Sequence, residues 1–292
     1  MNNRIEYLYH ADISLHEVLQ KSAEFLASCD IDDAQNDAWL LLEYVTGISR
    51  ARYLIERHRL MKEEDKTRYG ELLKQRAAHI PLQHLTGEQE FMGLTFRVNE
   101  HVLIPRQDTE TLVEEALKYV RPGMRVLDMC TGSGCIAISI AKLGPKTDVC
   151  VDAVDLSEEA IKVARCNGEL LEAEICWIHS DLFENVTETY DMIVSNPPYI
   201  QTSVIEELTE EVRLHEPMQA LDGKEDGLYF YRKIVDQGKH YLRENGWLMF
   251  EIGYDQGEDV YRLMKDAGFE KLKILQDLAG KDRVVYGQKT AG

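Results

Sequence analysis

From Arg125 onward the chain alternates short apolar runs with amphipathic segments, and that alternation limits its fold more than any other feature. The runs 125–128, 149–154, 175–178, 191–194 and 247–252 are short and rich in Val, Ile, Leu and Met. Segments 133–142, 157–171, 227–242 and 256–267 lie between or after them and carry the 3.6-residue spacing of helices. Alternating strands and helices predict a doubly wound parallel sheet, whose strands are buried on both faces and therefore read as continuous apolar runs. Two further runs, 271–275 and 283–287, have no helix between them and should pair antiparallel. The expected fold class is α/β, with a mostly parallel, seven-stranded, doubly wound sheet.

The beginning of the chain has a different character. Residues 14–80 read as helical throughout. Ser14 and Glu17 form a capping box, and Leu15, Val18, Leu19, Ala23, Phe25 and Leu26 give the helix one apolar face. A second helix follows Asp32 or Asp33 and stops at Gly47, a third opens at Ser49, and a fourth covers 62–79 before Ile80-Pro81. Around Gly93, residues 90–98 are aromatic and β-branched, a hairpin signal. Asp108-Thr109 then reads as the cap of a helix running to about Tyr119. The expected organisation is a helical domain over 1–85, followed by a hairpin connector and α/β domain over 86–292.

Composition narrows the function. A formal net charge of -19 opposes binding to polyanions, and the cluster Arg50, Arg52, Arg57, His58 and Arg59 is followed at once by Glu63, Glu64 and Asp65, so it reads as a solvated helix face. The six cysteines form no Cys-x-x-Cys pair and read as reduced core residues of a cytoplasmic protein. His79 and His84 lack further ligands at metal spacing, so no metal is expected. No apolar segment approaches a membrane span, and the amino terminus has no apolar signal core.

The candidate site lies at the carboxyl ends of the parallel strands, where open α/β sheets bind ligands. The strand 191–194 runs into Asn196-Pro197-Pro198-Tyr199. Neither proline donates a backbone hydrogen bond, so the strand stops there in a rigid corner. That corner offers an amide side chain, carbonyls and an aromatic ring, which suits a planar NH2 group. The first strand of the alternation ends in Cys130-Thr131-Gly132-Ser133-Gly134, a tight turn into a helix that lets a ligand approach the backbone. It lacks the Gly-Lys-Ser/Thr of a phosphate loop, and Cys130 and Ala137 break the dinucleotide pattern. Asp155 ends the next strand, placed to accept two ribose hydroxyls. Asp181 and Leu182 follow the third, placed to receive an adenine amino group and cover its ring.

A nucleotide-like site without a phosphate loop resembles that of the class I methyltransferases that use S-adenosylmethionine. Within them, Asn-Pro-Pro-Tyr resembles the motif of enzymes that methylate planar amino nitrogens. Further stretches narrow the match: Gly87-Glu88-Gln89-Glu90-Phe91 with Leu103-Ile104-Pro105-Arg106-Gln107-Asp108-Thr109-Glu110; His215-Glu216-Pro217-Met218-Gln219-Ala220-Leu221 with Asp226-Gly227-Leu228; and Ala279-Gly280-Lys281-Asp282-Arg283-Val284-Val285. Together these are similar to the N5-glutamine methyltransferases of peptide chain release factors. The resemblance implies S-adenosylmethionine as cofactor, held by Cys130, Thr131, Gly132, Ser133, Gly134, Asp155, Asp181, Leu182 and Asn196, with Arg106 on the methionyl carboxylate. It implies class 1 release factors as partners, whose Gly-Gly-Gln glutamine would meet Asn196, Pro197, Pro198 and Tyr199, with Asn196, Pro197 and Tyr199 as the catalytic set. Cys130 departs from the wider superfamily, where glycine is more usual. An adenine-N6 methyltransferase acting on RNA or DNA shares the corner and is the alternative, as is a module that binds cofactor or release factor without chemistry.

Overall fold

A computed structural model describes Ile5, Leu8, residues 12–145 and residues 149–290. The chain divides into two compact units, one holding the residues up to Gly87 together with Glu210–His215, the other holding Glu88–Thr209 and Glu216–Gly292.

The first unit is helical: α1 (Leu15–Ala27), α2 (Ala34–Thr46), α3 (Arg50–Glu56), α4 (Glu63–Arg76) and a short α5 (Leu82–Thr86). The capping box is complete, because Ser14 Oγ accepts from the Glu17 amide while the Glu17 carboxylate accepts from the Ser14 amide at 3.0 Å. Gly47 ends α2 in the left-handed conformation at φ +65°, the C-terminal stop that glycine adopts without penalty. The fourth helix ends at Arg76, earlier than its pattern suggests, and α5 follows Pro81, where no helix is expected. Arg76 is buried and holds two acids: Asp37 of α2 at 2.6 Å and Glu211 at 2.7 Å. The second pair ties the turn Glu210–His215 to this unit.

The second unit opens with the hairpin β1 (Glu88–Phe91) and β2 (Leu94–Arg97), joined by Met92-Gly93 with φ of 52° and 72°. Two left-handed residues in a two-residue loop match the twist of the flanking strands. Next come α6 (Gln107–Leu117), β3 (Arg125–Met129), α7 (Cys135–Leu143), β4 (Cys150–Asp155), α8 (Glu158–Leu170), β5 (Ile175–His179) and β6 (Tyr190–Ser195). The unit finishes with α9 (Tyr229–Tyr241), β7 (Leu242–Glu251), α10 (Gly257–Asp266), β8 (Phe269–Gln276) and β9 (Asp282–Lys289). Asp108 does not cap α6: Arg106 occupies that place without a side-chain bond, and Asp108 lies in the first turn, where its charge favours the positive end of the helix. The cysteines also depart from expectation, since Cys150, Cys166 and Cys176 are exposed and only Cys135 is fully buried.

The strands form one seven-stranded sheet in the order β5-β4-β3-β6-β7-β9-β8. The first five are mutually parallel, while β9 runs antiparallel to both β7 and β8. From β3 the chain winds outward one way through β4 and β5, then returns to β6 on the other side of β3. That reversal opens a crevice at the carboxyl ends of β3 and β6. Val126, Met192 and Val194 pack on one face with residues of α6 and α7, and Leu127, Ile193 and Phe250 pack on the other with residues of α9 and α10.

One strand position contradicts an apolar reading. Asp152, in the middle of β4, is 2% exposed. It is satisfied by the Tyr190 hydroxyl at 2.8 Å and by Arg125 at 3.0 Å. Arg125→Met removes the cation facing this buried carboxylate and is expected to cost about 3–5 kcal/mol, as for one half of a buried pair. Urea unfolding followed by Trp177 and Trp247 fluorescence measures it; an unchanged midpoint would mean that Tyr190 alone suffices for Asp152.

Candidate active site

The carboxyl ends of β3, β4, β5 and β6 surround a cavity of about 1000 Å³, counted out to its open mouth. Cys130, Thr131, Gly132, Ser133, Asp155, Asp181, Leu182, Asn196, Pro198 and Arg106 all line it. Gly134, Pro197 and Tyr199 do not.

The turn after β3 is built around two acids, Asp128 buried and Asp155 half-buried. Asp128 is wholly buried and accepts from Thr131 Oγ1 at 2.6 Å and from the Ala137 amide at 3.1 Å, fastening the turn to α7. Burial pushes its carboxyl up to about 7 despite those bonds. Asp155 accepts from the Gly132 amide at 2.8 Å through one oxygen and from the Ser157 amide at 2.8 Å through the other. Burial raises its pKa as well, against the pull of those amides. An ionised carboxylate has about four acceptor positions, so Asp155 retains capacity for hydroxyl donors in the cavity.

The glycines of the turn do different work. Gly132, at φ +54°, would have no atom within 4 Å of an added Cβ, so its backbone faces open space where a ligand can lie. Gly134, at φ +81°, sits beneath the turn, where a Cβ would come within 3.0 Å of Trp177 and 3.2 Å of Ala164. It admits α7 close to β5 and α8 instead of touching a ligand. Cys130 is itself left-handed at φ +65°, a conformation that costs a side-chain-bearing residue about 1–2 kcal/mol and explains why glycine suits this position. The open cradle at Gly132, the spare acceptor capacity of Asp155 and the exposed carboxylate of Asp181 fit an adenosyl group with its ribose and amino donors.

At β6, Ser195 Oγ donates to the Met129 carbonyl at 2.6 Å, joining the ends of the two central strands. Asn196 follows, with Nδ2 directed to Thr109 Oγ1 of α6 at 3.4 Å. The backbone of Tyr199 is enclosed. Its carbonyl accepts from Gln256 Nε2 at 3.1 Å, and a Cβ on Gly227 would stand 2.4 Å from that oxygen. A Cβ on Gly223 would stand 2.7 Å from the Tyr199 Cα. Burial raises the Tyr199 phenol above its ordinary range. Gln256, Gly223 and Glu251 stand in no motif singled out from the sequence, and Thr109 reads there as part of a helix cap; Gly227, at φ +73°, sits in the Asp226-Gly227-Leu228 stretch. Arg106 is engaged by Glu216, with Nη2 at 2.5 Å from Oε1.

Comparison with known proteins identifies the family. A family model described as the PrmC N-terminal domain matches residues 17–87, and one described as the methyltransferase small domain matches 107–224. The release factor glutamine methyltransferase of Geobacter sulfurreducens is 40% identical over 276 residues, covering 94% of this chain and 96% of that protein. This chain belongs to the release factor glutamine methyltransferase family. The Clostridium botulinum member is 38% identical over 283 residues, covering 94% of this chain and 99% of its own length. A methyltransferase of Pyrococcus furiosus, 16% identical, shares the fold with a TM-score of 0.52 over 77% of this chain and 99% of that one. As a family member, the chain is an S-adenosylmethionine-dependent methyltransferase.

Asp155→Ala removes the brace of the Gly132 turn and, with it, the acceptor we propose for the ribose hydroxyls. Affinity for S-adenosylmethionine is expected to fall by about 1–3 kcal/mol, measured by titration calorimetry. Unchanged affinity would remove Asp155 from the site.

Proposed function

We propose that this enzyme methylates the side-chain amide nitrogen of the glutamine in the Gly-Gly-Gln loop of class 1 release factors. The observation that carries the proposal is the corner at Asn196-Pro197-Pro198, which is rich in acceptors and poor in donors beside the cofactor cradle. Asn196 Nδ2 is turned back towards Thr109, which leaves Oδ1 as an acceptor, and Pro197 contributes a carbonyl without an N–H at that residue.

The chemical difficulty is the amide nitrogen. Its lone pair is delocalised into the carbonyl, the resonance that gives peptide rotation a barrier of about 18–20 kcal/mol. Bound S-adenosylmethionine supplies a methyl group on positively charged sulfur, which departs as a neutral thioether. Asn196 Oδ1 and the Pro197 carbonyl accept the two N–H bonds, orient the lone pair towards that methyl and favour a partly tetrahedral nitrogen. With the cofactor bound, the nitrogen pair would form the new N–C bond as the C–S electrons return to sulfur, and one N–H proton would then leave to solvent. No dedicated base is required before attack. Pro197 and Pro198 are buried and fix the line of approach, while Tyr199 provides the aromatic wall of the corner. Arg106 lies at the cavity wall for the methionyl carboxylate and shares its guanidinium, which has five donors, with Glu216.

The helical unit recognises the protein substrate, and the acidic chain disfavours a nucleic-acid one. Among the described residues no helix is long and apolar enough to cross a membrane, in keeping with an enzyme that meets release factors in the cytoplasm.

Asn196→Ala should lower turnover by roughly 10²–10³ while changing cofactor affinity much less. An adenine amino group presents the same two hydrogens, so the acceptor must be varied as well. Changing the loop glutamine to asparagine draws the amide back by one methylene, which the rigid prolines cannot follow, and methylation by the wild-type enzyme should collapse. An enzyme indifferent to that change, yet active on adenine in RNA or DNA, would overturn the glutamine assignment.

A further inference from the structure

Methyl transfer to an amide requires Asn196 to present its carbonyl, and not its amino end, to the incoming nitrogen. A free asparagine side chain has no such preference. Here the surroundings impose one. Asn196 Nδ2 donates to Thr109 Oγ1 at 3.4 Å, and Thr109 is 2% exposed. Behind both lies Glu251, the last residue of β7. In the parallel pair β6–β7, Ser195 stands opposite Phe250, so the next residues, Asn196 and Glu251, are neighbours at the carboxyl end of the sheet.

Glu251 is 2% exposed, and its Oε2 is buried without a hydrogen-bond partner. It lies outside the cavity lining. A carboxyl in this position is costly to the fold, because buried polar atoms are ordinarily satisfied. Several titratable or charged groups face it. Burial raises its pKa most; Thr109, Arg283 of β9 and Asn196 pull it down, and Asp108 of α6 raises it. The phenols of Tyr199 and Tyr231 and the thiol of Cys135 lie within its field. Arg283 is shared between Asp108 at 3.0 Å and Asp277 at 3.1 Å, so it does not neutralise Glu251 alone. Tyr231 donates its hydroxyl to the Glu251 main-chain carbonyl at 2.9 Å, which fixes the strand end. The carboxyl faces Thr109 and Asn196, both of which favour its charged form.

We propose that Glu251 is a positioning residue for methyl transfer: with Thr109 it holds the amino end of Asn196 away from the cavity and so makes Oδ1 the acceptor for the substrate amide. An ionised carboxylate only accepts hydrogen bonds. Turning the Asn196 amide over would set its oxygen against the Glu251 oxygens and leave Nδ2 to repel the substrate N–H bonds. The role rests on the glutamine reading, because it acts through Asn196.

The test compares Glu251→Gln, Glu251→Leu and Asn196→Ala in the full-length enzyme. The readouts are affinity for S-adenosylmethionine, and kcat and KM on a release factor across the pH range around 7. Burial pushes the Glu251 carboxyl up to about 7, so its ionised fraction rises through that pH and kcat of the wild-type enzyme should rise with it. Glu251→Leu should lose roughly 10²-fold in kcat, the cost of a misplaced reacting group, with cofactor affinity and KM little changed. Glu251→Gln keeps the volume and a carbonyl, so it should retain part of the turnover but lose the rise near pH 7. If Glu251→Leu fails to fold, the pH profile of Glu251→Gln decides alone. Wild-type kcat and a wild-type profile in both Glu251 variants, with Asn196→Ala still impaired, would overturn the Glu251 role and leave the corner standing. Wild-type turnover in Asn196→Ala would overturn both.

Discussion

Ser195 Oγ donates to the main-chain carbonyl of Met129 at 2.6 Å, and the rest of the site depends on that bond. It joins β3 and β6 where strand order reverses, one residue before each strand leaves the sheet in a different direction. After Met129 the chain turns through left-handed Cys130 into the cofactor cradle. After Ser195 it runs into Asn196 and two prolines that cannot continue a ladder. On the proposed function the two reacting partners are presented by adjacent strand ends, whose separation is set by sheet geometry and not by loop flexibility. Methyl transfer needs this rigidity, because in-line geometry tolerates little error.

A second layer consists of acids taken out of water. Asp128, Asp155 and Glu251 stand at the ends of β3, β4 and β7, and burial raises all three. A carboxyl with a raised folded-state pKa favours folding when neutral, and that contribution is lost as pH climbs through the folded value, which is about 7 for Asp128 and Glu251. Asp128 and Asp155 hold the cradle through Thr131, Ala137, Gly132 and Ser157, and Glu251 stands behind Asn196. These acids are therefore retained at a cost to stability near neutral pH, which fits residues kept for the site more than for the fold.

Much of this was legible in the residues because it is local. Apolar runs mark the parallel strands, Gly47 and the Ser14–Glu17 box mark helix ends, and glycines and prolines mark the turns at strand ends. The family followed from several short stretches together, since Asn-Pro-Pro-Tyr alone suits adenine as well as glutamine. What escaped depends on register between distant segments. Thr109 reads as a helix cap, yet it receives Asn196. Glu251 reads as the edge of an apolar strand, yet the register of β6 on β7 places it beside Asn196. Gln256 braces the Tyr199 carbonyl over 57 positions of sequence, and Glu216 engages Arg106 over 110. Pro197 and Tyr199, expected to meet the glutamine, are not among the residues lining the cofactor cavity, and the Tyr199 backbone is enclosed by Gly223, Gly227 and Gln256.

The central claim is that this corner presents acceptors to a glutamine amide of a protein and not to a base of a nucleic acid. Incubating the full-length enzyme with labelled S-adenosylmethionine and separate release factor, RNA and DNA acceptors tests it most directly, with the labelled product located by fragmentation mass spectrometry. The account predicts label on the release factor alone, on the side-chain nitrogen of the Gly-Gly-Gln glutamine. Label on adenine in RNA or DNA, with an unmodified release factor, would contradict it.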